Sequence, residues 1–370
     1  MIKRTIEISR EPVHLAVRHD QLVIQRKDRT RTDNQARADP TVLATIPCED
    51  LGVLMVDQRE TTYTHAVLAA LARHGAAMVI CGEDHHPAGM YLPITTNTEL
   101  LARLDAQLSV SKPVRKRLWS TIVRAKVEAQ AALLPQGGPE ENARGKMLEL
   151  ARRIRSGDPE NIEAQAAAVY WPAVFARAGD IRHPFRRRPG EPDAPAPNNL
   201  LDYGYSALRA GVARALVSAG LLPALGIRHR GRSNPFCLAD DLVEPLRPLI
   251  DARVRRLAES GEHVLDQAIK ADLLEVLTEE VDVGGRRGPL LVGLSRYIAS
   301  VVRVMTGETL EPLIPIARWR VEEPATPRST ATRPGQGQPR RRTASASADA
   351  VDDAGNGDGD DLAEDGHEWI

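Results

Sequence analysis

The side chains best suited to chemistry lie in one stretch of the chain, between Gly226 and Pro245. This stretch holds one imidazole, His229, and further on a pair of carboxylates three residues apart, Asp241 and Glu244, at the start of an apolar helical pattern. Residues i and i+3 share a helix face, so the two carboxylates are predicted to point the same way, with His229 arriving from the preceding loop. The alternative is that the two acids only complement the positive end of a helix dipole.

A further carboxylate, Glu163, belongs to an Ala-rich helix that is predicted to begin near Pro159, a residue type favoured at the first helical position. Small residues surround Glu163, so other groups could approach it closely. The competing interpretation is that Glu163, like Asp158 and Glu160, is one more acid in the first turns of a helix. Carboxylates and one imidazole on converging helices would suit Mg²⁺ or Mn²⁺ acting on phosphate oxygens.

Two groups of arginines could contact a polyanion. The first group surrounds the histidine and comprises Arg228, Arg230 and Arg232. The second group lies in a proline-rich loop and comprises Arg186, Arg187 and Arg188. For the second group, a set of phosphate contacts and a solvated surface loop are both open interpretations. Together with the candidate metal ligands, the arginines predict a metal-dependent site that works on nucleic acid.

Composition restricts the classes of protein to which the chain can belong. Its 370 residues are 42% hydrophobic, which is enough for one large core or two smaller ones. No apolar run approaches the ~20 residues that span a bilayer, and the first residues alternate like a strand and not like a signal peptide. The few cysteines are far apart, which argues against disulfides and zinc. We therefore expect a cytoplasmic protein without a membrane segment.

The formal net charge of −1 conceals an uneven distribution of charge. Residues 349–370 contain nine acids and neither lysine nor arginine, so the rest of the chain is basic overall. A basic fold permits nucleic acid as a partner. Gly-rich nucleotide loops are absent from the sequence, which leaves ATP-driven chemistry unsupported.

The patterning predicts an α+β protein in three parts. Residues 1–96 form short β-rich runs with one short helix near 64–75, which predicts an N-terminal β-sandwich-like domain. Residues 97–320 carry apolar residues at helical spacing, which predicts an all-α domain. Residues 321–370 are rich in Arg and Pro and then acidic, with almost no apolar side chains, so we expect disorder there.

Several segments, in the same order along the chain, resemble one known family. They are Ile2-Lys-Arg-Thr-Ile, Ser156-Gly-Asp-Pro-Glu-Asn-Ile-Glu-Ala-Gln, Asn198-Asn-Leu-Leu-Asp-Tyr-Gly-Tyr, and Leu225-Gly-Ile-Arg-His followed by Leu238-Ala-Asp-Asp-Leu-Val-Glu. From Met1 to about Arg318 the chain resembles the first CRISPR-associated (Cas) protein, the integrase subunit of CRISPR adaptation, and is most similar to its type II branch. The resemblance implies a β-rich dimerisation domain followed by a helical catalytic domain.

The resemblance also implies roles for individual residues. Glu163, His229 and Glu244 match the family's catalytic residues and its ligands for Mg²⁺ or Mn²⁺. Asp241 matches a neighbouring acidic position that supports the site, and Tyr203 matches a tyrosine near the DNA. Arg228 stands where related proteins often have a second histidine, so the basic loop would contact DNA differently.

The implied activity is the insertion of short DNA fragments into a CRISPR array, by attack of a 3′-hydroxyl on a phosphodiester of the repeat. The implied partners are double-stranded DNA, a second copy of the chain in a homodimer, a small ferredoxin-like CRISPR-associated subunit in a heterohexamer, and type II effector components. Two alternatives stay open. One is a stand-alone structure-specific nuclease acting on branched DNA, and the other is a non-catalytic DNA-binding scaffold in which the acids are helix caps.

Overall fold

Two four-stranded β-sheets and one helix form the N-terminal part of the protein. The computed structural model describes residues 3–27, 41–83, 85, 87–94, 97–134, 140–179, 184–191, 194 and 196–317. The strands of the N-terminal part are β1 (Arg4–Ile8), β2 (Val13–Arg18), β3 (Gln21–Arg26), β4 (Val42–Pro47), β5 (Leu51–Val56), β6 (Thr62–Tyr63), β7 (Ala77–Cys81) and β8 (Pro87–Tyr91). Helix α1 (His65–His74) lies between β6 and β7 in the chain.

The two sheets enclose an apolar core of their own. One sheet has the order β1-β5-β7-β8, with β8 antiparallel to β7 and the other pairs parallel, and the second has the order β4-β3-β2-β6. The central strand β5 is buried along its whole length, in keeping with its continuous apolar sequence. Leu15, Leu22, Leu54 and Leu71 are all buried in this core. The predicted β-rich N-terminal part with one short helix is confirmed.

The rest of the described chain is mainly helical. Its helices are α2 (Leu100–Ser109), α3 (Lys112–Leu133), α4 (Glu141–Arg153), α5 (Ile162–Val174), α6 (Asn198–Ser218), α7 (Cys237–Val243), α8 (Arg247–Glu259), α9 (Gln267–Leu274) and α10 (Leu290–Met305). A tight 3₁₀ turn, Glu244–Leu246, joins α7 to α8. These elements confirm the predicted α+β fold class. None of the described helices is long and apolar enough to cross a membrane.

A small sheet is an addition to the predicted all-α part. Strands β9 (Glu280–Val283), β10 (Arg286–Pro289) and β11 (Ile316–Ala317) pair in the order β10-β9-β11. Gly284 and Gly285 both have positive φ, at 62° and 79°, which is the backbone that a two-residue hairpin turn requires. Two glycines at a turn were therefore the sequence signal for this hairpin.

Helix α6 is the centre of the helical part. Leu200, Leu208, Val212 and Leu216 are fully buried along it, as their helical spacing predicts. A Cβ atom at Gly204 would lie 2.5 Å from a methyl carbon of Ile250, so glycine allows α6 and α8 to approach closely. The predicted disordered tail, 321–370, lies outside the described residues, and the predicted division near residue 96 stays a prediction.

Candidate active site

The three acids at the start of helix α5 have different partners. Asp158 accepts hydrogen bonds from the backbone N–H groups of Ile162, at 2.8 Å, and Glu163, at 3.0 Å. Glu160 forms ion pairs with Arg153 and Arg155. The capping interpretation therefore holds for Asp158, while the side chain of Glu163 is turned towards α3.

Glu163 and Glu244 converge on one ammonium group. Lys126 on α3 donates a hydrogen bond to Glu163 Oε1 at 2.6 Å, and its Nζ atom lies 2.5 Å from Glu244 Oε2. The side chains of Glu163, Lys126 and Glu244 are 24%, 10% and 3% exposed. Arg247 lies 3.1 Å from the other oxygen of Glu244. Two carboxylates from distant parts of the chain thus share a buried cation.

Charge pairing outweighs burial at this cluster. Burial alone would lower the pKa of Lys126, but attraction to Glu244 and Glu163 raises that pKa above its usual value. Burial alone would raise the pKa of Glu244, but Arg247 and Lys126 lower it. Both groups are therefore charged in the folded protein at neutral pH.

His229 is held in place by Asp241. The Nδ1 atom of His229 lies 2.7 Å from Asp241 Oδ1, and Asp241 also accepts backbone N–H groups from Ile227 and Arg228 at 2.5 and 2.9 Å. The hydrogen bond to Asp241 raises the pKa of His229 although partial burial opposes this shift. The ring also meets the edge of Trp119, with 5.9 Å between ring centroids. Because Nδ1 is engaged, Nε2 is the nitrogen left for a further partner.

In the structure, two of the predicted metal ligands, Glu163 and Glu244, both contact Lys126. Across the part of the chain that the structure describes, no three His, Cys, Asp or Glu side chains are grouped closely enough to hold a metal ion. Oxygen Oε2 of Glu244 is buried and receives no well-aligned hydrogen bond, although the Lys126 ammonium is in contact with it. The contact between Lys126 and this oxygen is therefore an ion pair and not a well-aligned hydrogen bond.

Tyr203 does not reach this cluster. Its ring is fully buried, and its hydroxyl lies 3.2 Å from Glu7 and 3.0 Å from the sulfur of Met55, in the N-terminal sheet. Tyr205, two residues further along α6, contacts the cluster instead, because the Arg247 guanidinium lies 4.9 Å from its ring centroid. The structure thus places Tyr203 between the N-terminal sheet and α6, and its supporting role near DNA stays a prediction.

The two arginine groups differ. Arg228, Arg230 and Arg232 are exposed around His229, and no carboxylate within the described residues pairs with them. Of the second group, Arg186 and Arg188 are exposed. Arg187 is half-buried, forms an ion pair with Asp202 and donates to Asn198 at 3.0 Å, so its guanidinium is committed to the fold. Contacts with DNA stay a prediction for the exposed arginines.

Sequence reasoning missed Lys126 and Arg247. A signal for Lys126 was present, because it lies seven residues after Trp119 and four after Ile122, on the buried face of α3. A lysine on an apolar face is almost never buried without an acidic partner. Pairing Lys126 with the two glutamates would have followed only from the tertiary fold.

The protein thus has a β-rich part followed by a helical part, in which Glu163 and Glu244 share the Lys126 ammonium and Asp241 holds His229. Residues 6–280 match the family model described as CRISPR associated protein Cas1. The chain belongs to this family, and the resemblance found in the sequence is confirmed.

Individual relatives agree with this assignment. The CRISPR-associated endonuclease Cas1 of Neisseria meningitidis serogroup C (strain 8013) is 38% identical over 285 residues, which cover 75% of this chain and 90% of that protein. A casposase bound to integration product has a TM-score of 0.66 at 19% identity, over 83% of this chain and 91% of that one. A CAS1 protein from Thermotoga maritima has a TM-score of 0.64 at 14% identity, over 82% and 97% of the two chains. The two structures share the fold.

Proposed function

We propose that the chain is a metal-dependent DNA endonuclease and integrase that inserts short DNA fragments into a CRISPR array. The observation that carries the proposal is the convergence of Glu163 and Glu244 on one buried cation, with the paired His229 and Asp241 beside them. Membership of the Cas1 family and the 38% identity to a CRISPR-associated endonuclease support it.

The donor types of the cluster suit a divalent metal ion, although the side chains as they lie are not grouped closely enough to hold one. Glu244 is buried and Glu163 is partly buried, and two such carboxylates repel each other unless a cation lies between them. Lys126 supplies a single positive charge at that position. Carboxylate oxygens and an imidazole are the donors that Mg²⁺ and Mn²⁺ accept. Glu163, Glu244 and His229 would hold the ion, and Lys126 would give up its contacts. The bound ion would neutralise charge that grows on a phosphate oxygen during the reaction.

The protein's other groups prepare the site for DNA. Asp241 fixes the orientation of the His229 ring, and Arg247 offsets the charge of Glu244. Exposed Arg228 and Arg230 would contact phosphates next to the reacting group. In the reaction the 3′-hydroxyl oxygen forms a bond to phosphorus and loses its proton, while the old 3′ oxygen leaves and takes up a proton. This exchange requires no covalent bond to a Ser, Tyr or Cys side chain.

We infer that the chain works as a homodimer with double-stranded DNA and a small ferredoxin-like subunit, in a heterohexamer. Two copies of the site at a fixed separation would measure the length of the inserted fragment. Family membership supports this inference. Phosphate contacts would position the DNA without reading its sequence.

A half-site integration assay tests the proposal. Purified chain and its small partner subunit are mixed with Mn²⁺ or Mg²⁺, a fluorescent short duplex with free 3′-hydroxyls, and a supercoiled plasmid that carries the repeat. E160Q is the matched control for E163Q, because Glu160 is also a glutamate and lies three residues earlier. Among the described residues, its side chain forms ion pairs with Arg153 and Arg155 and none with Lys126. We expect label transfer that is lost with E163Q and with chelator and is kept with E160Q.

The same assay distinguishes the two alternatives. Metal-dependent cutting of branched DNA by the chain alone, without transfer, would replace the integrase with a structure-specific nuclease. Neither activity, with DNA binding intact, would leave a non-catalytic scaffold.

A further inference from the structure

A cavity lined by four arginines shares no residue with the cavity beside His229. It has a volume of about 610 Å³, and its walls come from α2, the end of α6, the β9–β10 hairpin, α10 and the segment that follows α10. A volume of this size is typical of a small-molecule site. We call it the arginine cavity, and it is defined by Arg103, Arg286, Arg296 and Arg303 together with the apolar Ala299, Val302 and Leu313.

The arginine cavity has an excess of positive charge. Among the described residues, no carboxylate forms an ion pair with Arg286, Arg296 or Arg303. Arg296 donates a long hydrogen bond, of 3.5 Å, to the backbone carbonyl of Arg286. Glu308 is the one acid in the lining, and its carboxylate accepts a hydrogen bond from the Thr306 hydroxyl at 2.8 Å. An anion with several charges would therefore complement this cavity.

The walls of the arginine cavity are fixed by contacts within the fold. The backbone N–H of Leu313 donates to the Ser300 hydroxyl at 2.8 Å, which holds the segment after α10 against that helix. A Cβ atom at Gly284 would lie 2.9 Å from a methyl carbon of Leu313, so the hairpin packs directly on this leucine. Glu99 forms an ion pair with Arg103 at 2.7 Å and holds its guanidinium. The cavity is thus formed in advance of a ligand, as small-molecule sites usually are.

The apolar part of the lining restricts which anions fit. Val302 is buried, but Leu313 is 39% exposed and Ala299 is exposed as well. A ligand that covers these side chains removes apolar surface from water, which favours binding. Inorganic phosphate has no apolar face, and a DNA duplex presents its phosphates on a convex backbone while its bases stay stacked inside. A nucleoside triphosphate combines a row of charges with a flat base that can lie on aliphatic side chains.

We propose that the arginine cavity binds a nucleoside triphosphate. The phosphates contact Arg286, Arg296 and Arg303, and the base lies against Val302 and Leu313. Guanidinium groups form paired hydrogen bonds with phosphate oxygens, which suits a row of phosphates. Binding of this kind requires no glycine-rich loop, because no phosphate is transferred.

The nucleotide lies next to the candidate active site without occupying it. Helix α2 supplies Arg103 to the arginine cavity and Gln107 to the cavity beside His229, and α10 supplies Arg303 and Met305 in the same way. The two glutamates of the candidate active site line neither cavity. Nucleotide binding is therefore independent of these glutamates and of any metal ion that they hold.

Isothermal titration calorimetry of the full chain with ATP tests this proposal. The buffer contains a chelator, so that no metal ion links the phosphates to the candidate metal ligands. We expect one ATP per chain, with a dissociation constant of roughly 1–100 µM. Inorganic triphosphate should bind at least about tenfold more weakly, because it leaves the apolar side chains in water, and adenosine should not bind measurably. E163Q should bind ATP as the native chain does.

Reversal of two unpaired arginines locates the site. R286E with R303E should abolish ATP binding, whereas R18E with R152E, which changes two exposed arginines elsewhere by the same charge, should not. The milder R286Q with R303Q should weaken binding by at least about tenfold, because two charge-assisted contacts are lost. Thermal unfolding verifies that each variant is folded.

Several results would overturn the proposal. Absence of ATP binding, or an ATP affinity that folded R286E with R303E leaves unchanged, would show that the cavity does not hold the nucleotide. Loss of ATP binding in E163Q would place the phosphates in the candidate active site. Inorganic triphosphate that binds as tightly as ATP would reduce the cavity to a site for simple anions. A short DNA duplex that loses affinity with R286E and R303E, while ATP does not bind, would assign the cavity to DNA.

Discussion

Lys126 and Glu163 are joined by a 2.6 Å hydrogen bond between α3 and α5, although they are 37 residues apart in the chain. The same ammonium lies 2.5 Å from Glu244, so one buried positive charge satisfies two carboxylates. A divalent metal ion would compete with Lys126 for the same oxygens. Several expected outcomes depend on this relationship.

K126M should destabilise the metal-free protein and increase its response to metal. Removing one partner of a buried ion pair costs about 3–5 kcal/mol, because the remaining charge is uncompensated. Mn²⁺ should then raise the unfolding temperature of K126M more than that of the native protein, because the ion no longer displaces a lysine. Thermal unfolding with and without excess Mn²⁺ measures both effects. K112M, which changes an exposed lysine of the same helix, is the control, and equal Mn²⁺-induced shifts in K126M and the native protein would contradict the competition.

Metal affinity should depend on the protonation of His229. Below its raised pKa the His229 ring carries protons on both nitrogens and cannot bind a metal, so Mn²⁺ affinity falls as the pH drops through that pKa. D241N removes the charge that raises the pKa, so the loss of affinity should move to lower pH. NMR titration of the ring and Mn²⁺ binding at several pH values measure this shift. D105N, at an exposed position on α2, should leave the midpoint where it is in the native protein, and an unmoved midpoint in D241N would show that Asp241 does not control the histidine.

The parts of the fold that could be predicted from the sequence are those that local residue patterns determine. The buried face of α6 followed from the helical spacing of Leu200, Leu208 and Leu216. The central strand β5 followed from its unbroken apolar run, since a strand covered on both faces has no polar side. The family resemblance named Glu163 and Glu244 as candidate metal ligands, and this role stays a prediction, although both side chains contact Lys126.

The features that could not be predicted from the sequence are contacts between residues that are far apart in the chain. The hydrogen bond between Lys126 and Glu163 depends on how α3 packs against α5, and no spacing rule links residues so far apart. Tyr203 and Tyr205 are two residues apart on one helix and therefore face different directions. Similarity placed a tyrosine in this region, but only the packing of α6 shows that Tyr205 and not Tyr203 contacts Arg247.

Asp251 should make stability depend on pH. It is fully buried beneath the hydroxyls of Tyr170 and Tyr205, and burial raises its pKa from 3.8 to about 6 in spite of both hydrogen bonds. The folded state thus binds the proton more tightly than the unfolded chain. The contribution of Asp251 to the free energy of unfolding is greatest below pH 3.8 and falls as the pH rises to about 6, by about 3 kcal/mol in all.

D251N removes this titration and provides the measurement. The free energy of unfolding of D251N minus that of the native protein should increase as the pH rises from about 4 to about 6, because only the native protein loses stability there, and should be constant above that range. Urea unfolding at several pH values measures the difference. D105N should parallel the native protein throughout. A constant difference between D251N and the native protein across the whole range would place the carboxyl pKa of Asp251 in its ordinary range.

A second buried ion pair joins the N-terminal sheet to the helical part. Lys270 donates to Asp57 at 2.6 Å, and the two side chains are 7% and 3% exposed. K270M should lower the free energy of unfolding by about 3 kcal/mol, since it leaves a buried carboxylate whose remaining partner is His85. The double variant D57L and K270M should recover most of this loss in urea unfolding. A double variant as unstable as the sum of the two single variants would mean that the side chains do not act as a pair.

The central claim is that Glu163, His229 and Glu244 together bind one divalent cation. Electron paramagnetic resonance of free Mn²⁺, titrated with the full chain above the His229 pKa, tests it most directly. We predict one tight Mn²⁺ site per chain in the native protein and in E160Q. In E163Q, E244Q and H229Q the affinity should fall by more than the roughly 10–100-fold that loss of an outer-sphere group causes. Native-like Mn²⁺ affinity in E163Q and E244Q would contradict the account, because the ion would then lie elsewhere in the protein.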